Sequence, residues 1–203
     1  MSFWKRFLKH KMAVIGGCFV LLFLILAIFP SQIAPYDPYQ INPPLRGAGP
    51  SLQHPFGCDQ IGRDILSRII HGARVDLKVG FLATALALFF GASMGIVAGY
   101  YGGVLDTLIM RFVDTLMAFP IILLTMLIVS LFGSSINYLI VGMALPLSSR
   151  FARVLRSDTL SIRNEDYISA ASAIGCGDIR ILLRHVLINA FPPIIVLVTF
   201  NVA

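Results

Sequence analysis

Residues 115–149 read TLMAFPIILLTMLIVSLFGSSINYLIVGMALPLSS and carry no charged side chain. A helix rises about 1.5 Å per residue, so a single helix of this length would extend ~52 Å, well beyond the ~30 Å hydrocarbon core of a bilayer. The stretch therefore predicts two membrane spans joined by a turn at Gly133-Ser134-Ser135. Pro120 lies near the start of the first span, where it should bend the helix.

The composition of the whole chain agrees with a membrane protein. Of its 203 residues, 57% are hydrophobic and only 13% are charged, which is too apolar for a soluble domain and argues against most enzymes. The net charge of +6 would suggest nucleic acid as the partner of a soluble protein. Here the basic residues flank apolar runs, where they set the topology, and we expect no nucleic-acid partner.

Residues 1–30 predict a cytoplasmic tail and a first span. Four Lys or Arg residues precede the uncharged run at residues 12–29, whose helical length of ~27 Å is just enough to cross the hydrocarbon core. A signal peptide has a similar layout, but this run ends in Phe29-Pro30-Ser31-Gln32 without a small-x-small cleavage site. We therefore expect an uncleaved span with a cytoplasmic N-terminus.

Residues 31–78 predict an external loop. Seven of the eleven prolines lie between Pro30 and Pro55, which excludes a long helix there. Helical spacing of apolar residues returns at residues 62–78 and predicts a helix that lies flat at the outer interface. An amphipathic helix without a ligand is favoured over a substrate contact.

Residues 79–203 hold the remaining spans. The uncharged run at residues 79–105 is long enough to cross a membrane. Within it, Gly91, Gly95 and Gly99 follow each other at four-residue spacing, so one helix face is almost free of side chains and a neighbouring helix can approach closely. The same stripe could border a translocation path, but tight helix packing is the favoured interpretation.

Two shorter pieces complete the predicted topology. Residues 102–114 are expected to form a short cytoplasmic turn in which Arg111 can pair with Asp114. Residues 186–203 are a last uncharged run with Pro192-Pro193 near its start, and we expect this final span to be truncated. Five spans result, and eleven of the sixteen Lys and Arg residues fall on the cytoplasmic side, in agreement with the positive-inside rule.

A cytoplasmic loop is predicted at residues 150–185, and the polar stretch that begins within it, residues 165–189, reads EDYISAASAIGCGDIRILLRHVLIN. Ile168, Ala171 and Ile174 recur at helical spacing, and a second apolar set follows Gly177, which predicts two short helices at the membrane surface. Gly175 and Gly177 should separate them, because glycine adopts the left-handed conformation that ends a helix.

The sequence contains no recognisable set of residues for catalysis or metal binding. There is no Gly-x-x-x-x-Gly-Lys-Ser/Thr phosphate loop, and the three cysteines and four histidines are scattered. We expect no catalytic residue, no metal site and no cofactor bound by this chain. The apolar runs also lack the ionisable residues that ion-coupled carriers use at membrane depth. Energy for uphill transport would have to come from another chain, docked at residues 165–189.

Three groups of residues form a pattern that can be compared with known families. The first group is His54-Pro55-Phe56-Gly57, Asp59, Gly62-Arg63-Asp64, Ser67-Arg68 and Gly72-Ala73-Arg74. The second is Ala98-Gly99-Tyr100-x-Gly102-Gly103, Asp106, Met110-Arg111, Asp114 and Pro120. The third is Ala152-Arg153, Arg156, Tyr167, Ala170-Ala171, Gly175, His185, Leu187 and Asn189. In this order and over nearly the whole chain, they resemble the C-type permease subunit of the dipeptide, oligopeptide and nickel ABC importers.

The resemblance implies an all-helical permease half with six spans, of which five are present here. Such a half pairs with a second, homologous permease, lies over ATPase subunits that use ATP, and receives peptide or nickel cargo from an extracytoplasmic solute-binding protein. The resemblance also implies a multi-pass protein of the bacterial or archaeal plasma membrane that is not itself an enzyme.

The resemblance further implies which residues meet the ATPase. They are Glu165, Tyr167, Ala170, Ala171, Gly175 and Asp178. Residues 165–175 would be a coupling helix in a groove of the ATPase, where Ala170 and Ala171 allow close approach and Gly175 permits the following turn. Closure of the ATPase pair would move this helix as a lever, and residues 178–189 would pass the movement to the final span.

Two positions depart from the family pattern. Cys58 stands where the family commonly has threonine, and would place an unpaired thiol on the outer face. Ile188 replaces the proline of a His-x-Leu-Pro-Asn sequence, which predicts a softer break before the final span.

Two other functions fit the same sequence. A membrane scaffold or sensor subunit could bind a cytoplasmic partner through residues 165–189 and transport nothing. An ion-coupled carrier ranks third, because ionisable residues are missing from the apolar runs.

Overall fold

The computed structural model describes residues 9–202, which form helices joined by turns and one isolated β-bridge between Cys58 and Asp64. In chain order the helices are α1 (Lys11–Ile28), α2 (Pro30–Ile33), α3 (Ile65–Tyr101), α4 (Gly103–Met117), α5 (Ile121–Phe132), α6 (Ile136–Arg163), α7 (Asp166–Ala173), α8 (Asp178–Asn189) and α9 (Phe191–Val202). A 3-10 turn covers Pro43–Leu45, and a π-helical turn at Leu182–Val186 interrupts α8. The predicted all-helical class is confirmed.

Five membrane spans are compatible with the described helices. α1, α3 and α6 are each long and apolar enough to cross a membrane, and two bent pairs, α4 with α5 and α8 with α9, qualify if each pair crosses once. The α4–α5 pair bends by 88°. Pro120 lies at this bend and precedes α5, as predicted, because proline cannot donate the hydrogen bond that would continue the helix.

The described residues fall into two compact units, divided between Lys78 and Val79. In the first unit, the guanidinium of Arg74 donates hydrogen bonds to the carbonyl oxygens of Ala27 (2.9 Å) and Ile28 (2.7 Å). These carbonyls belong to the last turn of α1, where a helix has no backbone donors for its own acceptors. Arg74 therefore caps α1 and ties its end to the first turns of α3.

The prediction of a separate interfacial helix at residues 62–78 is wrong, because α3 runs without a break from Ile65 to Tyr101. No glycine or proline occurs between Ala73 and Val79, so nothing in the backbone stops the helix there. Its 37 residues extend ~55 Å, which exceeds the ~30 Å hydrocarbon core. One end of α3 therefore projects beyond that core.

The prediction of a short turn at residues 102–114 is also wrong. The turn is confined to Gly102 and Gly103, which have φ angles of +69° and +60°, and α4 follows at once. Arg111 was expected to pair with Asp114, but Asp114 instead accepts a hydrogen bond from Arg153 of α6 over 2.8 Å. Asp114 thus pairs with a residue of another helix rather than with its neighbour on α4.

The second unit is organised around a close contact between α3 and α6. A Cβ atom added to Gly91 would lie 2.6 Å from Phe151 Cβ, and one added to Gly99 would lie 2.7 Å from Thr159 Cβ. Gly95 is equally close to the backbone of Ala152. The stripe is therefore a packing surface in which the two helices run in the same direction, with backbone almost against backbone.

Two charge-assisted contacts hold α4 beside α6. Arg156 donates through Nε and Nη2 to the two carboxylate oxygens of Asp106, the Nη2–Oδ2 distance being 2.6 Å. Bidentate geometry of this kind is strong and directional. The second pair, Arg153 with Asp114, begins one turn before Arg156 on α6. It is more exposed and therefore contributes less to stability.

Candidate functional site

The α7–α8 segment, residues 165–189, consists of two short helices, as predicted. α7 begins after Glu165, whose backbone is extended (φ −75°, ψ 143°). Gly175 follows the end of α7 with a φ of +84°, the left-handed conformation that glycine adopts without steric cost. Gly177 is extended instead and precedes α8.

One face of this segment is packed against the spans. Ile168, Ala171, Ile181 and Val186 form a buried cluster with Ile96 and Tyr100 of α3 and Ile162 of α6 around it. Burial of these apolar groups is what positions the segment, since apolar area removed from water stabilises by roughly 25 cal/mol per Å². The segment is therefore fixed to the ends of α3 and α6.

Other residues of the segment present large apolar side chains to the outside. Ile174 is 81% exposed, Ile179 is 72% exposed and Leu183 is 61% exposed. Several large apolar side chains exposed within one short polar stretch favour a surface that another protein covers. Two open grooves, of about 700 and 710 Å³, border the same region and meet at Asp178 and Tyr101.

The residues predicted to meet an ATPase do not all face outward. Glu165, Ala170 and Gly175 are exposed, whereas Ala171 is only 7% exposed and lies in the buried cluster. Ala171 therefore allows α7 to approach α3 and α6 closely, and its side chain faces these helices rather than the outside of this chain. A helix buries one stripe of its surface, and spacing alone does not show which.

Two predicted residues make hydrogen bonds within the chain. The Tyr167 hydroxyl accepts a hydrogen bond from Asn189 Nδ2 over 3.2 Å, which joins α7 to the end of α8. Asp178 Oδ1 accepts a hydrogen bond from the Tyr100 hydroxyl over 2.9 Å. Sequence reasoning gave Tyr100 no role of its own, because no local pattern relates it to a carboxylate so far along the chain.

The break before α9 is a bend rather than a proline turn. Ile188, at the position where a proline was expected, is exposed and helical, and Ala190 ends α8. The axes of α8 and α9 differ by 60°. Pro192 and Pro193 lie in the first turn of α9, where their missing N–H groups cost no intrahelical hydrogen bond.

In the first unit, the proline-rich segment, residues 34–64, is held by two carboxylates. Asp59 accepts hydrogen bonds from Arg63 Nε (2.8 Å) and Arg68 Nη1 (2.6 Å) and from the backbone N–H groups of Arg63 and Ile61. The backbone hydrogen bond from Arg63, with the others, holds the pKa of the Asp59 carboxyl well below its usual range. The carboxylate of Asp59 thus joins Ile61, Arg63 and Arg68 through hydrogen bonds.

The second carboxylate of this segment, Asp64, is buried and precedes α3. Its Oδ2 accepts a hydrogen bond from the Ser67 backbone N–H (2.7 Å), and its Oδ1 lies 2.9 Å from His54 Nδ1. Burial by itself raises the pKa of Asp64, but the hydrogen bonds from His54 and Ser67 outweigh burial and the pKa is lowered. Asp64 is therefore a charged N-cap of α3.

Cys58 does not place a thiol on the outer surface as expected. Its side chain is buried, and burial, followed by the charges of Asp64 and Asp59, raises the pKa of the thiol. A buried thiol with a raised pKa is unreactive.

Two family models match the chain. The model described as binding-protein-dependent transport system inner membrane component matches residues 91–203, and the model described as N-terminal TM domain of oligopeptide transport permease C matches residues 1–55. The first covers both the glycine stripe and the α7–α8 segment.

Curated relatives match over nearly the whole chain. The dipeptide transport system permease protein DppC of Alkalihalophilus pseudofirmus is 41% identical over 98% of this chain and 65% of its own length. DppC of Haemophilus influenzae is 36% identical over 100% of this chain and 70% of its own length. The glutathione transport system permease protein GsiD of Escherichia coli is 41% identical over 99% of this chain and 67% of its own length.

The chain thus spans about two thirds of the length of these relatives. From the family model that covers more than half of it and from these relatives, the chain belongs to the binding-protein-dependent transport system inner membrane components, in the group of C-type permeases of the peptide ABC importers.

Proposed function

We propose that this chain is the membrane-embedded permease subunit of an ATP-driven importer, forming half of a translocation path and coupling to a separate ATPase through residues 165–189. The observation that carries the proposal is the two-sided α7–α8 segment. Its buried residues pack on the ends of α3 and α6, while Ile174, Ile179 and Leu183 are exposed. A movement of a soluble protein bound to such a segment can be transmitted to the membrane helices.

The proposed cargo is a peptide. Two relatives are named for dipeptide transport and one for transport of glutathione, a tripeptide. Nickel, which the family resemblance also allowed, has no support from these relatives. Selection among peptides is assigned to a solute-binding protein that delivers cargo from outside.

The proposed assembly contains a second permease, ATPase subunits and the solute-binding protein, in a bacterial or archaeal plasma membrane with the N-terminus of this chain in the cytoplasm. ATP is bound and hydrolysed by the ATPase, so no cofactor is assigned to this chain. Pairing with a homologous permease would complete the path that one half begins.

Co-purification of the ATPase tests the docking surface. Ile179→Asp and Ala170→Glu change exposed residues and should release the ATPase without unfolding the permease. Leu52→Asp, at an exposed apolar residue of the proline-rich segment, is the matched control and should leave binding intact. Gly175→Asp should also reduce binding, although part of its effect is on the turn itself. Retention of the ATPase by both Ile179→Asp and Ala170→Glu would contradict the proposed site.

Uptake in proteoliposomes tests transport. A permease of this kind should move peptide only with ATP, and collapse of the proton gradient should have no direct effect. Peptide uptake that survives without ATP but follows the proton gradient would favour an ion-coupled carrier. ATPase binding without any uptake would favour a scaffold or sensor.

A further inference from the structure

We infer that Tyr100 and Asp178 are a positioning pair that makes the α7–α8 segment move together with α3. The inference rests on the proposed function, in which an ATPase pushes on that segment. It gives Asp178 a task inside this chain, in contrast to the expectation that Asp178 contacts the ATPase.

The pair joins the end of a span to the start of a loop helix. Tyr100 lies in the last turn of α3, Asp178 is the first residue of α8, and the hydroxyl donates to the carboxylate over 2.9 Å. Within residues 9–202, this is the one side-chain hydrogen bond between the α7–α8 segment and the helices α3 and α6. Its acceptor is a carboxylate oxygen, and hydrogen bonds to carboxylates are stronger than those between neutral groups.

Apolar packing acts at the same place. Tyr100 and Ile96 contact the buried cluster of Ile168, Ala171, Ile181 and Val186. A displacement of α7 or α8 therefore acts on the last two turns of α3 through packing and through the hydrogen bond together.

The glycine stripe carries the displacement into α6. Gly99 immediately precedes Tyr100, and a Cβ there would lie 2.7 Å from Thr159 Cβ. No flexible side chain separates the two backbones, and close-packed interiors compress little. α3 and α6 should therefore follow the segment as one body.

The other end of α8 is built differently. Between Asp178 and α9 lie the π-helical turn at Leu182–Val186 and the 60° bend at Ala190. Both interrupt the regular backbone hydrogen bonding of an α-helix, and such interruptions are where helices bend. The Tyr100–Asp178 end is consequently the stiff connection and the α9 end the compliant one.

Hydrogen exchange of the permease in lipid nanodiscs tests the link without any partner. Tyr100→Phe removes only the donor and should raise the exchange rates of α7 and α8 amides roughly tenfold, the effect of losing a hydrogen bond to a charged group. Tyr101→Phe changes the neighbouring tyrosine, which does not bond to Asp178, and should leave the rates unchanged.

A double-mutant cycle shows whether the two residues act through each other. Asp178→Ala should reproduce the effect of Tyr100→Phe, and the double variant should add nothing. Asp178→Asn keeps an acceptor oxygen but not the charge, and should restore part of the protection that Asp178→Ala loses.

Transport then separates a positioning role from a merely structural one. In proteoliposomes that contain the ATPase and the second permease, Tyr100→Phe should lower the amount of peptide moved per ATP hydrolysed by up to roughly tenfold, while ATPase binding persists. Tyr101→Phe should keep the ratio of the unaltered protein.

Equal exchange rates in Tyr100→Phe and Tyr101→Phe would overturn the inference. An unchanged ratio of peptide to ATP in Tyr100→Phe, despite faster exchange, would overturn it as well. If the unaltered permease shows no ATP-dependent uptake, the proposed function fails instead, and the exchange experiment still decides whether the link exists.

Discussion

The proline-rich segment (residues 34–64) and the α7–α8 segment are both polar stretches between apolar helices, yet they are held in opposite ways. Two carboxylates, Asp59 and Asp64, gather the first through hydrogen bonds to backbone and side chains. The second is held mainly by a buried apolar cluster. Hydrogen bonds are directional and fix the positions of individual groups, whereas the burial of apolar groups is non-directional. The first segment is thus held by individual polar contacts and the second by a shared buried surface.

Two glycines make the contrast quantitative. Gly62 of the proline-rich segment and Gly175 of the α7–α8 segment have φ angles of +85° and +84°. A Cβ at Gly62 would lie 2.6 Å from the carbonyl carbon of Asn42, whereas nothing lies within 4 Å of a Cβ at Gly175. The same backbone conformation is therefore enclosed in one segment and open in the other.

The largest expected effect is that of Gly62→Ala. A left-handed conformation costs a non-glycine residue about 1–2 kcal/mol, and the overlap with Asn42 should add roughly 1–3 kcal/mol. Gly175→Ala incurs only the first cost. Limited proteolysis of residues 34–64 and of residues 165–189 measures both, with Gly47→Ala, which has φ +61° and open space, as the control. Similar losses for Gly62→Ala and Gly175→Ala would show that the two segments are equally open.

The next effect is that of Ala171→Leu. Adding a larger side chain to the buried cluster should destabilise the α7–α8 segment by about 1–3 kcal/mol. The neighbouring Ala170 is exposed, and Ala170→Leu should change stability by less than about 0.5 kcal/mol. Hydrogen exchange of α7 measures the difference. Equal protection in the two variants would contradict the inward orientation of Ala171.

Asp64→Asn should weaken the proline-rich segment in a pH-dependent way. Asn still caps α3 but loses the charge beside His54, which should cost about 1–2 kcal/mol at neutral pH. Because the pKa of Asp64 is lowered in the folded state, its stabilisation is present above the ordinary Asp pKa of about 4 and is lost as the pH falls below it.

Proteolysis of the segment between pH 7 and pH 3 measures this dependence. The unaltered protein should become susceptible below about pH 4, and the difference between it and Asp64→Asn should shrink over the same range. A constant difference at all these pH values would rule out the carboxylate as its source.

The smallest expected effect is that of Tyr167→Phe. Its hydrogen bond from Asn189 is long, at 3.2 Å, and exposed, so its loss should cost about 0.5 kcal/mol or less. Exchange rates at the end of α8 should rise less than threefold. A loss as large as that of Ala171→Leu would show that polar contacts, rather than the apolar cluster, hold the segment.

The sequence predicted the features that depend on local backbone chemistry. Uncharged runs indicated the spans, Pro120 the bend before α5, and Gly175 the turn after α7. Each of these follows from a property of one residue or one short stretch. The polar stretch at residues 165–189 predicted a docking site for another chain, and the family resemblance then implied which of its residues meet an ATPase.

Features that depend on distant contacts could not be predicted. The continuity of α3 past Lys78 is a separate case, because the lack of glycine and proline there already favours it, and polar residues end a membrane span without ending a helix. The inward orientation of Ala171 and the pairing of Tyr100 with Asp178 depend on how α7 and α8 lie against α3. Spacing shows that a helix has two faces, and only its neighbours show which one is buried.

The parallel contact of α3 with α6 also sets an order of assembly. α6 can reach the glycine stripe in the same direction only after α4 and α5 have carried the chain back across the membrane. At roughly 5–20 residues per second, several seconds of synthesis separate Gly99 from Thr159. During that interval the face of α3 that carries the three glycines should contact lipid or another protein. Replacement of that contact by α6 should be a late step of biogenesis. Bulky substitutions at Gly91, Gly95 or Gly99 should therefore leave the inserted helices intact but unassembled, as substrates for membrane quality control.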